Sequence, residues 1–336
     1  MKRTLVWLLA ALGLVVLATP STVSAKPRPE GPELTLLTVF GSGLGSGSTI
    51  GADGALYVTD GNAGSVLRVD RKTGAVSTYA EGLPPQRLGI GGAMDVAFIG
   101  RTAYVLVTLV GGDIVGGPSI GDDAVGIYRL EQDGSFTMIA DIGAWSVDHP
   151  PTTDFFITTG VQYALKTFRG GFLVTDGHHN RVLSVTRDGE ISELRTFGNI
   201  VPTGLETSGN DVYLGGAGPL PHLPQDGRVM AFNRRSSTTL EVARGASLIV
   251  DVEFGRHRNL FALSQGDWDG VSEGSPAFPN TGRLVTVGSD GSLTPIVDSV
   301  GEEIVLDRPT SMEFVGNTAY IVSLTGAVYE INNIEP

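Results

Sequence analysis

The chain has 336 residues, of which 41% are hydrophobic, 18% are charged and 47 are glycine. That hydrophobic share excludes a disordered chain, and the glycines lack the period of three that collagen requires. A formal charge of −13 without a Lys/Arg cluster argues against nucleic acid or an anionic membrane as partner, and the absence of cysteine removes disulfides, thiol nucleophiles and thiolate metal sites.

The N-terminus begins with the basic pair Lys2-Arg3, continues through the apolar run Leu5 to Leu17, and ends on Val23-Ser24-Ala25, small residues of the kind found at cleavage sites. This predicts a secretory signal peptide over residues 1–25, cut after Ala25. The apolar run is too short for a membrane span, which needs about 20 residues, so no span is expected in the mature chain. Removing Lys2 and Arg3 takes the charge to −15, with 36 acidic residues against 21 basic. Residues 26–33 read as an exposed leader and residues 34–336 as one domain. A disulfide-free exported chain points to a bacterial protein, secreted to the periplasm or the medium.

No segment of the mature chain has sustained helical periodicity, whereas one strand pattern recurs six times. Its second strands are Ala55-Leu56-Tyr57-Val58, Ala103-Tyr104-Val105, Phe172-Leu173-Val174, Val212-Tyr213-Leu214, Leu260-Phe261-Ala262 and Ala319-Tyr320-Ile321. Third strands follow at Val66–Val69, Gly126–Leu130, Val182–Val185, Val229–Phe232, Leu284–Val287 and Val328–Ile331. Turns such as Asp133-Gly134, Asp188-Gly189 and Asp290-Gly291 then suit a tight reversal, because both central positions need φ > 0. Six units of about 52 residues fit propeller blades. The sixth unit lacks a fourth strand, and Leu34–Phe40 is a strand without a unit. The pattern therefore predicts an all-β, six-bladed β-propeller whose ring is closed by the N-terminal strand completing the last blade. A pair of β-sandwiches is the alternative.

With strands a to d running outward from the axis, the b–c and d–a loops emerge on one face and the a–b and c–d turns on the other. The long, irregular segments, such as Thr108–Asp123, Ala140–Gln162, Gly215–Asp226 and Ser264–Thr281, fall on the first face, where binding is expected. Trp145, His149, Asp176, His178, His179, Asn180, His222 and Trp268 all map there and form the candidate ligand-binding set. His257 maps to an a–b turn.

Asp176-Gly177-His178-His179-Asn180 is the densest polar loop. Imidazole with carboxylate can bind a metal or move protons near neutral pH. Blade 1 carries Asp60-Gly61-Asn62 without the histidines, which favours a turn-capping role for the Asp. Asp95 and Asp251 occupy matching positions on innermost strands. They could hold a hard cation or could tie neighbouring blades by accepting backbone N–H bonds. The candidate metal set is Asp95, Asp251, Asp176 and His178. No resident cofactor is expected, with a divalent cation such as Ca²⁺ or Mg²⁺ as the one alternative.

The blade sequence Asp53-Gly54-Ala55-Leu56-Tyr57-Val58-Thr59-Asp60 with Gly64-Ser65-Val66-Leu67-Arg68-Val69 resembles the NHL and SMP-30/gluconolactonase (TolB-like) propellers. Ala93-Met94-Asp95-Val96-Ala97-Phe98, Val201-Pro202-Thr203-Gly204-Leu205 and Pro309-Thr310-Ser311-Met312-Glu313-Phe314 make it most similar to the ScyD/ScyE family of exported proteins. Gluconolactonase relatives hold a channel cation with Glu, Asn and Asp, a set that has no full counterpart here. Virginiamycin-type lyases use a His and Mg²⁺, for which the His178-His179 loop is the one candidate. The resemblance itself implies no particular activity; the long aromatic-bearing loops and the lack of a complete catalytic set point to a secreted, monomeric protein, a binding protein rather than an enzyme, that holds a small molecule, glycan or protein on the long-loop face. The alternative is a metal-dependent lactonase-like hydrolase or lyase at the channel mouth.

Overall fold

The computed structural model describes residues 31–41, 45–271 and 274–334; the signal-peptide reading falls outside them. Within these residues the chain forms six four-stranded antiparallel sheets. Innermost strands a are Gly45–Ile50, Gly92–Ile99, Gln162–Phe168, Pro202–Ser208, Ile249–Phe254 and Pro309–Val315. Each packs against the next around the axis, and the first packs against the last, so the ring is closed. Buried apolar residues fill the space between adjacent blades, as where Leu173, Leu205 and Leu214 join blades 3 and 4.

The sixth blade is completed by Glu33–Val39, which pairs antiparallel with Ala327–Asn332; Leu34 faces Ile331 and Thr38 faces Val328. The strand begins one residue earlier than expected, inside the segment read as leader, because Glu33 pairs with Asn332. Two features depart from the strand-only reading. A short helix, α1 (Ile142–Asp148), sits in the loop between blades 2 and 3, started by the Asp141 carboxylate, which accepts from Ala144 N at 2.8 Å. The b–c loop of blade 2 carries an extra hairpin, Gly111–Asp113 with Ser119–Asp122.

Every a–b pair carries a register shift near the start of strand a. Such a bulge leaves backbone groups without a ladder partner. The repeated Val-Thr-Asp at the end of strand b supplies one: Thr59 Oγ1 accepts from Gly47 N and Thr175 Oγ1 from Ala164 N, both at 2.9 Å.

Deleting residues 26–40 opens the sheet edge of blade 6 and removes Phe40, which is 4% exposed. The loss of stability is expected to lower the melting temperature by about 10 °C or more. A truncated protein melting within a degree or two of the mature form would show that the seam carries no weight.

Candidate functional site: the central channel

The repeats place one residue of each innermost strand opposite the aromatic position of strand b. Thr49, Ala97, Lys166, Glu206, Glu253 and Glu313 pair with Tyr57, Tyr104, Leu173, Tyr213, Phe261 and Tyr320. All but Glu206 line a cavity of about 230 Å³ on the axis, and Glu206 reaches its edge through Lys166. Lys166 Nζ donates to Glu206 Oε2 and, at 3.1 Å, to Glu253 Oε2. Burial pushes the Glu253 carboxyl well above the usual range against the pull of Lys166. Burial likewise raises Glu313, to about 8. Glu206 is held low despite its burial, by hydrogen bonds from Glu253 and Lys166. Lys166, flanked by these carboxyls, stays protonated.

Two residues earlier in each strand the ring reads Gly47, Asp95, Ala164, Gly204, Asp251 and Ser311. Asp95 accepts from Val96 N at 2.8 Å and from Leu165 N of blade 3 at 2.7 Å. Asp251 repeats this with Val252 N and with Met312 N of blade 6, both at 2.8 Å. The two aspartates therefore tie blade 2 to 3 and blade 5 to 6, on opposite sides of the axis. A glycine precedes each in the ring for a steric reason: a Cβ on Gly47 or Gly204 would lie 2.2 Å from the neighbouring carboxylate oxygen. Burial pushes Asp95 up to about 8 and Asp251 up to about 7, while the backbone N–H bonds pull the other way.

Nearer the long-loop face, Tyr163 of blade 3 crosses the axis, and its hydroxyl donates to Thr310 O of blade 6 at 3.0 Å. Its phenol stays protonated because it is buried. The charged ring lies on the other side of this bolt, toward the a–b turns. Those turns carry the exposed residues Arg101, Arg169, Arg256, His257 and Arg258. Arg169 bonds Asn210 and Arg258 bonds Ser208, which joins the turns of blades 3, 4 and 5 into one rim.

Several of the residues picked from sequence on the long-loop face are engaged in bonds within the wall. His178 Nε2 accepts from Phe156 N at 2.8 Å and Ile157 N at 3.1 Å, so this nitrogen carries no proton and is not open to a metal. Burial lowers its pKa to about 4. His179 Nε2 lies 3.0 Å from Ile157 O, and its Nδ1 lies 2.9 Å from Arg181 Nη2. A guanidinium has no lone pair, so that Nδ1 is an acceptor. Asp176 is fully buried; it accepts from Val161 N at 3.1 Å and from Arg181 Nε at 3.1 Å. It thus holds the preceding inter-blade loop, whereas Asp60 caps its own turn through Ala63 N. Asn180 accepts from Ile200 N and Val201 N, both at 2.9 Å. The candidate metal set does not assemble. Asp176 and His178 are in the wall of blade 3, Asp95 and Asp251 are on the axis, and among the described residues no three His, Asp or Glu side chains are placed to hold a metal ion.

Trp145 stacks on His149 at 4.3 Å and under the Arg181 guanidinium at 4.8 Å. Trp268 meets His222 edge-on at 5.6 Å in a separate group on blades 4 and 5, and its indole N–H has no acceptor among the described residues. Arg181 is the missed organiser of the first group. It is 1% exposed and also donates to His149 O at 2.7 Å and Ser146 Oγ at 2.9 Å. The Lys166 ring was missed too, although aligning the six strand-a segments on the strand-b aromatics picks it out.

No protein-family model and no curated protein matches this chain. Its fold is shared with solved six-bladed propellers. A gluconolactonase from Xanthomonas campestris has a TM-score of 0.59 at 14% identity, covering 90% of this chain and 89% of that one. Virginiamycin B lyase from Staphylococcus aureus has a TM-score of 0.53 at 12% identity, covering 90% and 99%. A luciferin-regenerating enzyme has a TM-score of 0.58 at 12% identity, covering 90% and 95%. At these identities the likeness is one of fold.

Two measurements check the assignments. His178 is neutral in the folded protein and takes a proton more readily when unfolded. Its contribution to stability is therefore present above about 6.5 and lost as pH falls toward about 4. The stability gap between wild type and His178→Gln should shrink between pH 7 and pH 4.5 in denaturant titrations. A constant gap would place the titration elsewhere. Asp95→Asn and Asp251→Asn each set an amide donor against a backbone donor and should cost about 1–3 kcal/mol. The two costs should add, since the sites lie on opposite blades. Both carboxyls have folded pKa values raised above the ordinary 3.8, so their contribution is fully present below about 4 and is lost as pH rises to about 7 for Asp251 and about 8 for Asp95; wild type should lose stability across that window, and each variant should lose less.

Proposed function

We propose that the chain is an exported binding protein of the ScyD/ScyE type whose ligand is a small polar molecule held in the central cavity. The N-terminal signal pattern and the blade sequences support export and the family reading. The observation that carries the binding reading is the contrast between the two polar groups. His178 Nε2, both ring nitrogens of His179 and the Asp176 carboxylate are engaged in the wall, while the cavity presents the Glu313 carboxyl and the Ser46 hydroxyl with no hydrogen bond among the described residues. Concave sites with a few convergent polar groups are where small ligands bind. Entry is from the a–b turn face, because Tyr163 bars the axis on the other side. This moves the site away from the long-loop face that the loop lengths favoured.

The second reading is a hydrolase or lyase. It is favoured by Glu253, a buried carboxyl held protonated beside Lys166, which is the arrangement of a general acid. Calorimetry with lactones, sugars, amines and small carboxylates, on wild type and Thr49→Trp, separates the two. Thr49 is at the level of Lys166 on an uncharged blade, so a tryptophan there fills the cavity without removing a charge. Binding without turnover that is lost in Thr49→Trp is the expected outcome. Turnover of any lactone or ester that vanishes in Glu253→Gln would establish the enzymatic reading instead. Binding that survives Thr49→Trp would place the ligand outside the channel.

A further inference from the structure

The charged ring is lopsided. Blades 3 to 6 contribute Lys166, Glu206, Glu253 and Glu313, while blades 1 and 2 contribute only Thr49 and Ala97 at the same level. The small residues leave room beside Glu313 and below Asp95, and this room is part of the cavity of about 230 Å³, the volume of about seven waters. Lys166 already satisfies Glu206 and Glu253 from the other side. Glu313 accepts no hydrogen bond among the described residues. Ser46 lines the same space, is 8% exposed, and its hydroxyl also makes no hydrogen bond among those residues. The vacant half of the ring thus leaves the Glu313 carboxyl unused, and the Ser46 hydroxyl is unused in the same cavity nearer the level of Tyr163.

Resting on the binding reading above, we propose that this half-pocket takes the ammonium group of a small primary amine, with Glu313 as its carboxylate partner and the alkyl stem along Thr49 and Ala97. A single metal ion suits the pocket poorly, because among the described residues no three carboxylates converge on one point. An ammonium needs only a few acceptors at hydrogen-bonding distance, and the cavity already shows the fit once, in the seating of Lys166 between two carboxyls.

The groups facing the pocket are Asp95 on blade 2, Tyr163 and Lys166 on blade 3, Glu206 on blade 4, Asp251 and Glu253 on blade 5 and Glu313 on blade 6; blade 1 contributes only hydroxyls. The rim adds Arg101, Arg169, Arg256, His257 and Arg258. Glu313 and Asp95 are raised to about 8 by burial, so an incoming cation displaces protons. Affinity should therefore rise between pH 6 and pH 8.5 while the amine itself stays protonated.

The test is calorimetric titration of the full mature chain with n-butylamine, with n-butanol as the uncharged control of equal length, at pH 6 and pH 8.5. The expected result is binding of butylamine only, with proton release and at least about ten-fold tighter binding at pH 8.5. Glu313→Gln should weaken it by about ten-fold or more, and Thr49→Trp should abolish it. Equal binding of butanol, no butylamine binding up to ~20 mM, or unchanged affinity in both variants overturns the proposal. If Glu313→Gln does not fold, Thr49→Trp and the butanol control still decide it. If amines fail while a neutral ligand binds wild type and not Thr49→Trp, only the amine assignment falls. If nothing binds in the cavity, the binding reading falls with it.

Discussion

A ring of sheets leaves two sets of unpaired backbone groups, and the structure depends on satisfying both. The outer set is the seam between the ends of the chain, sealed when Glu33–Val39 completes the sixth blade. The inner set faces the axis, because each strand a is the edge of its sheet. Asp95 and Asp251 answer part of that second need, each bonding its own strand and the next. Thr59 and Thr175 answer another part at the bulges. These ties make the channel wall rigid, and the polar groups that project from it are therefore held at fixed separations.

The same logic explains why the most polar loop commits most of its hydrogen-bonding atoms to its own wall. The long segment between blades 2 and 3 runs over the top of blade 3 and has many backbone groups to satisfy. His178, His179, Asp176 and Arg181 do so, with Arg181 bonding Asp176, His179, Ser146 and the His149 carbonyl at once. Such a network is conformationally specific but offers little to a ligand. The channel differs in that its charges are unequal in number: one lysine faces five carboxyl groups, and burial keeps several of these protonated.

Solved propellers described as a virginiamycin B lyase and a gluconolactonase share the ring with this chain at identities of only 12% to 14%. Blade geometry survives wholesale sequence change because it needs only alternating apolar strands, tight turns and bulges. The residues that project into the channel are free to change, one per blade, without disturbing the sheets. That freedom is visible in the ring itself, where Thr, Ala, Lys and three Glu occupy equivalent places.

The repeat count, the second and third strands of the blades, the seam strand to within a residue at each end and the blade-tying reading of Asp95 and Asp251 were legible in the amino-acid order, whereas the helix Ile142–Asp148 and the hairpin of blade 2 were not. The legible features rest on alternation, turn chemistry and matching positions, which are local properties. The tertiary structure alone decided which polar groups are engaged and which are open. His178 looked like a ligand because its neighbours in sequence are polar, yet its partners are the amides of Phe156 and Ile157, more than twenty positions away. Lys166, Glu206, Glu253 and Glu313 lie on four strands far apart in sequence, and only the closing of the ring brings those four blades to one axis. Burial and opposition of charge arise from that convergence, so they could not be read from any one segment of the chain.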